Sequence, residues 1–211
     1  MSSKREKTRL SKENRFFKPL LIAGVAMVFV SFVILSLTFY RVLFEETRYS
    51  LKKFQRNVTV IKLVDREFGI VIPKISANAR VISNVDPFDS KKYQVALTKG
   101  VAHALGSGYP GNAGNTFIFA HSSRDWYTAN QYNSVFYLLY KLEKGDKIEM
   151  YYKNKRYIYE VTVKKFVEAS EVSYLNSFAT ENTSILTLMT CWPPGTTLKR
   201  LIIQARISDT N

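Results

Sequence analysis

The pattern of apolar and polar positions divides the chain into three textures. Residues 20–40, LLIAGVAMVFVSFVILSLTFY, run for 21 residues without a charge. At the helical rise this is roughly 31 Å, about the thickness of a bilayer's hydrocarbon core. A core helix of that length normally shows a polar face, yet only Ser31, Ser36 and Thr38 interrupt this run. The pattern predicts a membrane-spanning helix. Residues 41–66 are charge-rich, lack glycine and proline, and carry Leu51, Phe54, Val58 and Ile61 at roughly helical spacing, the texture of a stalk.

From residue 67 to residue 211 the texture changes to short strand-like runs broken by turn residues, an all-β signature. GIVIPKI (69–75) reads as an opening strand, with Pro73 at a strand end or edge. SGYPGNAGN (107–115) is dense turn chemistry that feeds the strand TFIFA. Residues 132–142 carry Val135, Phe136, Leu138, Leu139 and Leu142 as a short helix-like turn, stopped at Gly145-Asp146. Runs at 148–152 and 156–163 flank Lys153-Asn154-Lys155 as a hairpin, and runs at 185–190 and 198–207 flank the turn WPPGTT. Many short strands and little helix predict a barrel or a sandwich.

Charge orients the molecule. Seven basic residues precede the apolar run against two acidic ones, the bias that keeps a tail in the cytoplasm. The run ends in SLTFYR, without a small-residue cleavage pattern, so it reads as an uncleaved signal anchor. The expected organisation is a cytoplasmic tail at 1–19, an anchor at 20–40, a stalk at 41–66 and an extracytoplasmic domain at 67–211. That tail accounts for +5 of the net charge of +14, and the rest is dispersed without a basic stripe. Nucleic acid is therefore not an expected partner.

The domain holds a single cysteine, Cys191, at the end of an apolar run and nine residues before Arg200. A lone cysteine is a small core hydrophobe, half of an intermolecular disulfide, or a nucleophile. Alternation along 185–191 puts Thr187, Met189 and Cys191 on one face. In the following strand Leu201, Ile203, Ala205 and Ile207 share an apolar face, so Arg200 points the other way. A hairpin of this size brings Cys191 and Arg200 together across the ladder. A guanidinium there favours a thiolate and can hold a developing oxyanion. Histidine is the usual proton partner of such a thiol, and the chain has two, His103 and His121. His121 stands where the TFIFA run meets the polar segment HSSRDW, and His103 stands in a small-residue stretch that reads as a packed turn. His121 is the candidate. Two histidines, one cysteine and no clustered carboxylates make no metal-site pattern, so neither metal nor cofactor is expected.

TLMTC at 187–191 followed by Arg200 resembles the TLxTC…R signature of the sortases, the membrane-anchored cysteine transpeptidases of bacterial surfaces. FGIVIPKI, PGNAGNTFIFAH and LEKGD resemble further segments of that family, in the same order over residues 67–207. The resemblance implies an eight-stranded closed β-barrel. It implies that Cys191 attacks a peptide carbonyl of an LPXTG-like sorting signal to form a thioacyl-enzyme. His121 would protonate the leaving amine and then deprotonate the incoming one, while Arg200 orients the substrate and holds the oxyanion. Thr190 would join the oxyanion site or serve only as a strand residue. His103 would not be catalytic, and the segment 167–184 would line the pocket for the signal. Trp192 would shape that groove or cap the barrel. The implied partners are exported proteins bearing the signal and an amine of the cell wall or of a pilin. The implied location is the bacterial cell membrane, with a class D-like or E-like type. Hydrolysis of the thioacyl intermediate and a non-catalytic surface binding domain are the competing readings.

Overall fold

The computed structural model describes residues 19, 21–34, 36, 47, 63–122, 135–172 and 183–210. The chain divides into two units, Met1–Val58 and Thr59–Asn211. In the first, residues 21–34 are helical and their apolar side chains are exposed. Among the described residues no helix is long and apolar enough to cross a membrane. Of the expected anchor at 20–40, residues 21–34 and 36 are described and helical, whereas the expected stalk at 41–66 lies largely outside the described residues.

The second unit begins with β1 (Phe68–Ile72), in which every residue is buried. Pro73 opens a 3-10 turn, Pro73–Ile75, and Ser76 at φ 53° reverses the chain into β2 (Ala77–Val85). Helix α1 (Ser90–Leu97) follows, capped by the Asp89 carboxylate accepting from the Lys92 N–H. Then come β3 (Val101–Ala104) and β4 (Gly114–Phe119). After a 3-10 turn at Leu139–Lys141 the chain forms β5 (Lys147–Tyr152) and β6 (Lys155–Glu168). Lys153 and Asn154 between them both have positive φ, 49° and 63°, the turn geometry that matches the twist of a tight hairpin. β7 (Ser184–Trp192) and β8 (Lys199–Thr210) complete the sheet.

These strands close into a barrel in the order β1-β2-β3-β4-β7-β8-β6-β5. Two pairings are parallel, β2 with β3 and β4 with β7, and the other neighbours are antiparallel. The expected eight-stranded closed barrel is what the second unit forms, with short helices between its strands. Sequence pattern leaves β2 and α1 unread and misjudges two further stretches. The small-residue stretch around His103 is a strand, β3, in which Ala102 and Ala104 are buried. β6 also runs beyond residue 163 to Glu168, because its second half pairs with β8 from Val163↔Gln204 to Glu168↔Lys199. That partner is remote in sequence, so local alternation does not announce it.

His103 has no exposed surface. Its Nδ1 accepts from the Asn84 N–H at 3.3 Å, which leaves Nε2 as the protonated nitrogen, 2.9 Å from the Gly108 carbonyl. The ring stacks on Tyr109 at 4.6 Å, and Tyr109 stacks on Tyr152 at 5.0 Å. Burial pushes its pKa below the ordinary 6.5, against a smaller upward pull from the Gly108 carbonyl. The neutral form is thus favoured in the fold, and the unfolded chain takes up the proton first as pH falls. Stability should hold above pH 6.5 and then drop by up to ~1.4 kcal/mol per pH unit down to the folded-state pKa. Urea denaturation at a series of pH values should show this slope, and His103→Gln should flatten it.

Candidate active site

The site is assembled by two ladders that meet at β7. In the parallel ladder, β4 pairs with β7 in continuous register from Gly114↔Ser184 to Phe119↔Met189. The Ala120 N–H extends it by donating to the Met189 carbonyl at 3.2 Å. Continued by one more residue, that register sets His121 beside Cys191. In the antiparallel ladder Cys191 stands directly opposite Arg200. The Met189 carbonyl faces β4, and backbone groups alternate along a strand, so the groups of Thr190 face β8 and those of Cys191 face β4. Cys191 and Arg200 therefore form a non-hydrogen-bonded pair, the type with Cα atoms about 4.5 Å apart and side chains in closer reach.

Alternation decides which side chains share the site. Thr187, Met189 and Cys191 lie on one face with their partners Gln204, Ile202 and Arg200. Phe117 and Phe119 of β4 share that face, opposite Thr187 and Met189. Cys191, Arg200 and His121 are each half-buried, screened from bulk water but not sealed from it. The Arg200 guanidinium turns back to its own connection, where Nη1 donates to the carbonyls of Thr197 and Lys199 at 3.1 and 3.2 Å. A cation held at a strand end by backbone carbonyls is positioned without being neutralised, so it retains its charge for an anion.

Thr190 points to the other face and is buried. Its hydroxyl donates to the Ala120 carbonyl at 2.9 Å, a contact that nothing in the sequence pattern announces. Trp192 shares that second face rather than the face of Cys191, because successive residues of a strand project to opposite sides. Its ring packs on Tyr140 at 5.0 Å and Phe166 at 5.1 Å. It therefore caps this end of the barrel, one of the two roles the sequence left open for it. The peptide bond from Trp192 to Pro193 is cis.

A cleft of about 440 Å³ opens beside Phe117, lined by Asp86, Phe88, Leu105 and Val172 among others; Cys191, His121 and Arg200 do not line it. Phe88, Leu105 and Val172 expose most or nearly half of their surface there. Of the segment expected to line the pocket, residues 173–182, with Tyr174, Leu175 and Phe178, lie outside the described residues. The cleft walls from the β2–α1 and β3–β4 connections were missed in the sequence. His103 is placed on β3 inside the aromatic stack described above. Among the described residues no group of three or more His, Cys, Asp or Glu side chains is placed to hold a metal ion.

Fold and site together define a closed eight-stranded barrel with a cysteine and an arginine paired at one strand end and a histidine just past the end of the adjoining strand. The chain belongs to the sortase family, whose domain model matches residues 70–208. Sortase D of Bacillus subtilis (strain 168) is 30% identical over 138 residues, which covers 64% of this chain and 60% of that protein. The match thus leaves about two-fifths of that relative's length uncovered. Among solved structures, a pilus-related sortase C of Group B Streptococcus is 26% identical with a TM-score of 0.57, covering 71% of this chain and 70% of that one. A lid mutant of sortase A from Corynebacterium diphtheriae is 25% identical with a TM-score of 0.58, covering 70% and 72%.

The packing of Trp192 makes a checkable claim about the strand end that carries Cys191. Trp192→Ala should lower stability by about 2 kcal/mol, below the cost of removing a fully buried aromatic because this ring is half-buried. Chemical denaturation measures the loss.

Proposed function

We propose that this chain is a cysteine transpeptidase that cleaves an LPXTG-like sorting signal and joins the exported protein to an amine. The observation that carries the reading is the convergence on one strand end. Cys191 lies across the ladder from Arg200, and the β4–β7 register brings His121 to its other side. Membership of the sortase family and the likeness to the Bacillus subtilis sortase D support it, and support a class D-like type over other types.

The chemistry follows from those positions. The Cys191 thiolate attacks the signal's peptide carbonyl, and the oxyanion that forms is held by the Arg200 guanidinium. The C–N bond breaks as His121 gives its proton to the leaving amine, which leaves the acyl group on sulfur. An incoming amine attacks this thioester, His121 takes the proton it sheds, and the C–S bond breaks to restore the thiolate. The apolar part of the cleft beside Phe117 is suited to a leucine-type side chain of the signal, since such a side chain buries its area against Phe88, Leu105 and Val172. The acceptor amine belongs to the cell wall or to a pilin subunit.

Residues 20–40 anchor the chain as a single-pass signal anchor in the bacterial cell membrane, with the barrel on the extracytoplasmic side. The support is compositional: an uncharged run of 21 residues behind a basic tail. Hydrolysis is the side reaction when water reaches the thioester first.

The test uses the full-length chain in detergent micelles, with Cys191→Ala as control, incubated with leucine-proline-type signal peptides and amine acceptors. Mass spectrometry should find a thioacyl adduct on the wild type and a ligated product, both absent from Cys191→Ala. Arg200→Lys, which loses the planar fork, should lower kcat/KM by about 100-fold. Cleavage without ligation at any acceptor would assign a peptidase, and neither adduct nor cleavage from a folded protein would remove the catalytic reading for these peptides.

A further inference from the structure

Thr190 precedes Cys191, and Ala120 precedes His121. The hydrogen bond from the Thr190 hydroxyl to the Ala120 carbonyl, at 2.9 Å, therefore joins the residues immediately behind the candidate nucleophile and its proton partner. β4 ends at Phe119. Beyond that point the backbone bond from the Ala120 N–H to Met189 and this side-chain bond tie the chain to β7. Both of its ends are buried, with Thr190 exposed by 2% and Ala120 by 6%. Water cannot readily replace the donor there, so the acceptor depends on this hydroxyl.

Thr190 also faces away from Cys191 and Arg200, on the side of Leu188, Leu201 and Ile203. A hydroxyl carries a single hydrogen, and this one is already donated to Ala120. As arranged, it is not offered to an oxyanion forming at the sulfur. The other open role, a strand residue chosen for β-propensity alone, leaves a buried hydroxyl aimed at a carbonyl across 70 positions of sequence without an account.

We propose that Thr190 is a positioning residue: by holding the Ala120 carbonyl it fixes the end of β4 against β7 and so sets the placement of His121 relative to Cys191. The inference rests on the reading of Cys191 and His121 as a reacting pair. Loss of the hydroxyl lets the chain at 120–122 shift away from β7, and the pair loses its alignment while substrate contacts on the cleft side persist.

The experiment compares Thr190→Val, Thr190→Ala and Thr190→Ser with wild type and His121→Ala, all full-length in detergent micelles. Alkylation of Cys191 by iodoacetamide at neutral pH needs no sorting signal, and peptide turnover is measured in parallel. Both hydroxyl-free variants should alkylate about tenfold more slowly than wild type, close to His121→Ala, and Thr190→Ser should stay within about twofold of wild type. In turnover, Val and Ala should lower kcat about tenfold or more with KM unchanged, and Ser should restore it. Near-UV circular dichroism identifies folded variants, and Ala serves if Val does not fold.

Alkylation at the wild-type rate in a folded hydroxyl-free variant overturns the proposal. If kcat falls in that variant all the same, the hydroxyl acts on the reaction itself. A Ser variant as slow as His121→Ala also overturns it, because the hydroxyl would then not be what matters. A wild type that alkylates as predicted but turns over no peptide leaves the positioning inference standing and removes the transpeptidase reading instead.

Discussion

The parallel pairing of β4 with β7 is the constraint on which the site depends. It joins residues 70 apart in sequence, in unbroken register from Gly114↔Ser184 to Phe119↔Met189. Parallel strands cannot be linked by a tight turn, and here the intervening chain forms β5 and β6, which close the other side of the barrel. Closing so long a loop costs entropy that the pairing alone does not return. The cost is offset by burial along the two strands, where Phe117, Ile118, Leu186 and Leu188 have almost no exposed surface. A one-residue slip in this register would move His121 away from Cys191 and turn Phe117 and Phe119 to the opposite face.

β7 then serves both of its neighbours. One edge carries the rungs to β4 and the other the rungs to β8, so Cys191 is flanked by the end of one strand and by Arg200 of the other. Its backbone is held by the sheet while its side chain projects from the strand end. Placement on a strand rather than in a free loop limits the error in its position. Trp192, one residue on, turns to the opposite side and closes the barrel end against Tyr140 and Phe166. The same alternation that separates these two side chains assigns one to packing and leaves the other reachable.

The two histidines show how environment divides one residue type into two roles. His103 lies on β3 with both ring nitrogens engaged, its face on Tyr109 and its charge disfavoured by burial. Such a ring is a neutral structural element that links β2, β3 and the turn before β4. His121 lies just past the end of β4 and is half-buried, where a ring can exchange a proton with solvent or substrate.

Much of this was readable in the sequence, and for physical reasons. Strand alternation, the turn at Lys153-Asn154 and the hairpin that pairs Cys191 with Arg200 are local, so neighbouring residues carry the information. The spacing TLMTC to Arg200 and the run into His121 likewise identified the three candidate residues without coordinates. What lay beyond local pattern is long-range. β3 was hidden because small residues that permit close packing look like a turn when read alone. The length of β6 depended on β8, and the cleft walls come from connections far apart in the chain. The Thr190–Ala120 bond and the inward turn of Trp192 were settled by which strand lies beside β7 and by which face is closed. The residue types of the site were determined by the sequence alone, because chemistry resides in side chains. Their arrangement was decided only by tertiary structure, because it is created by pairings that no segment makes with itself.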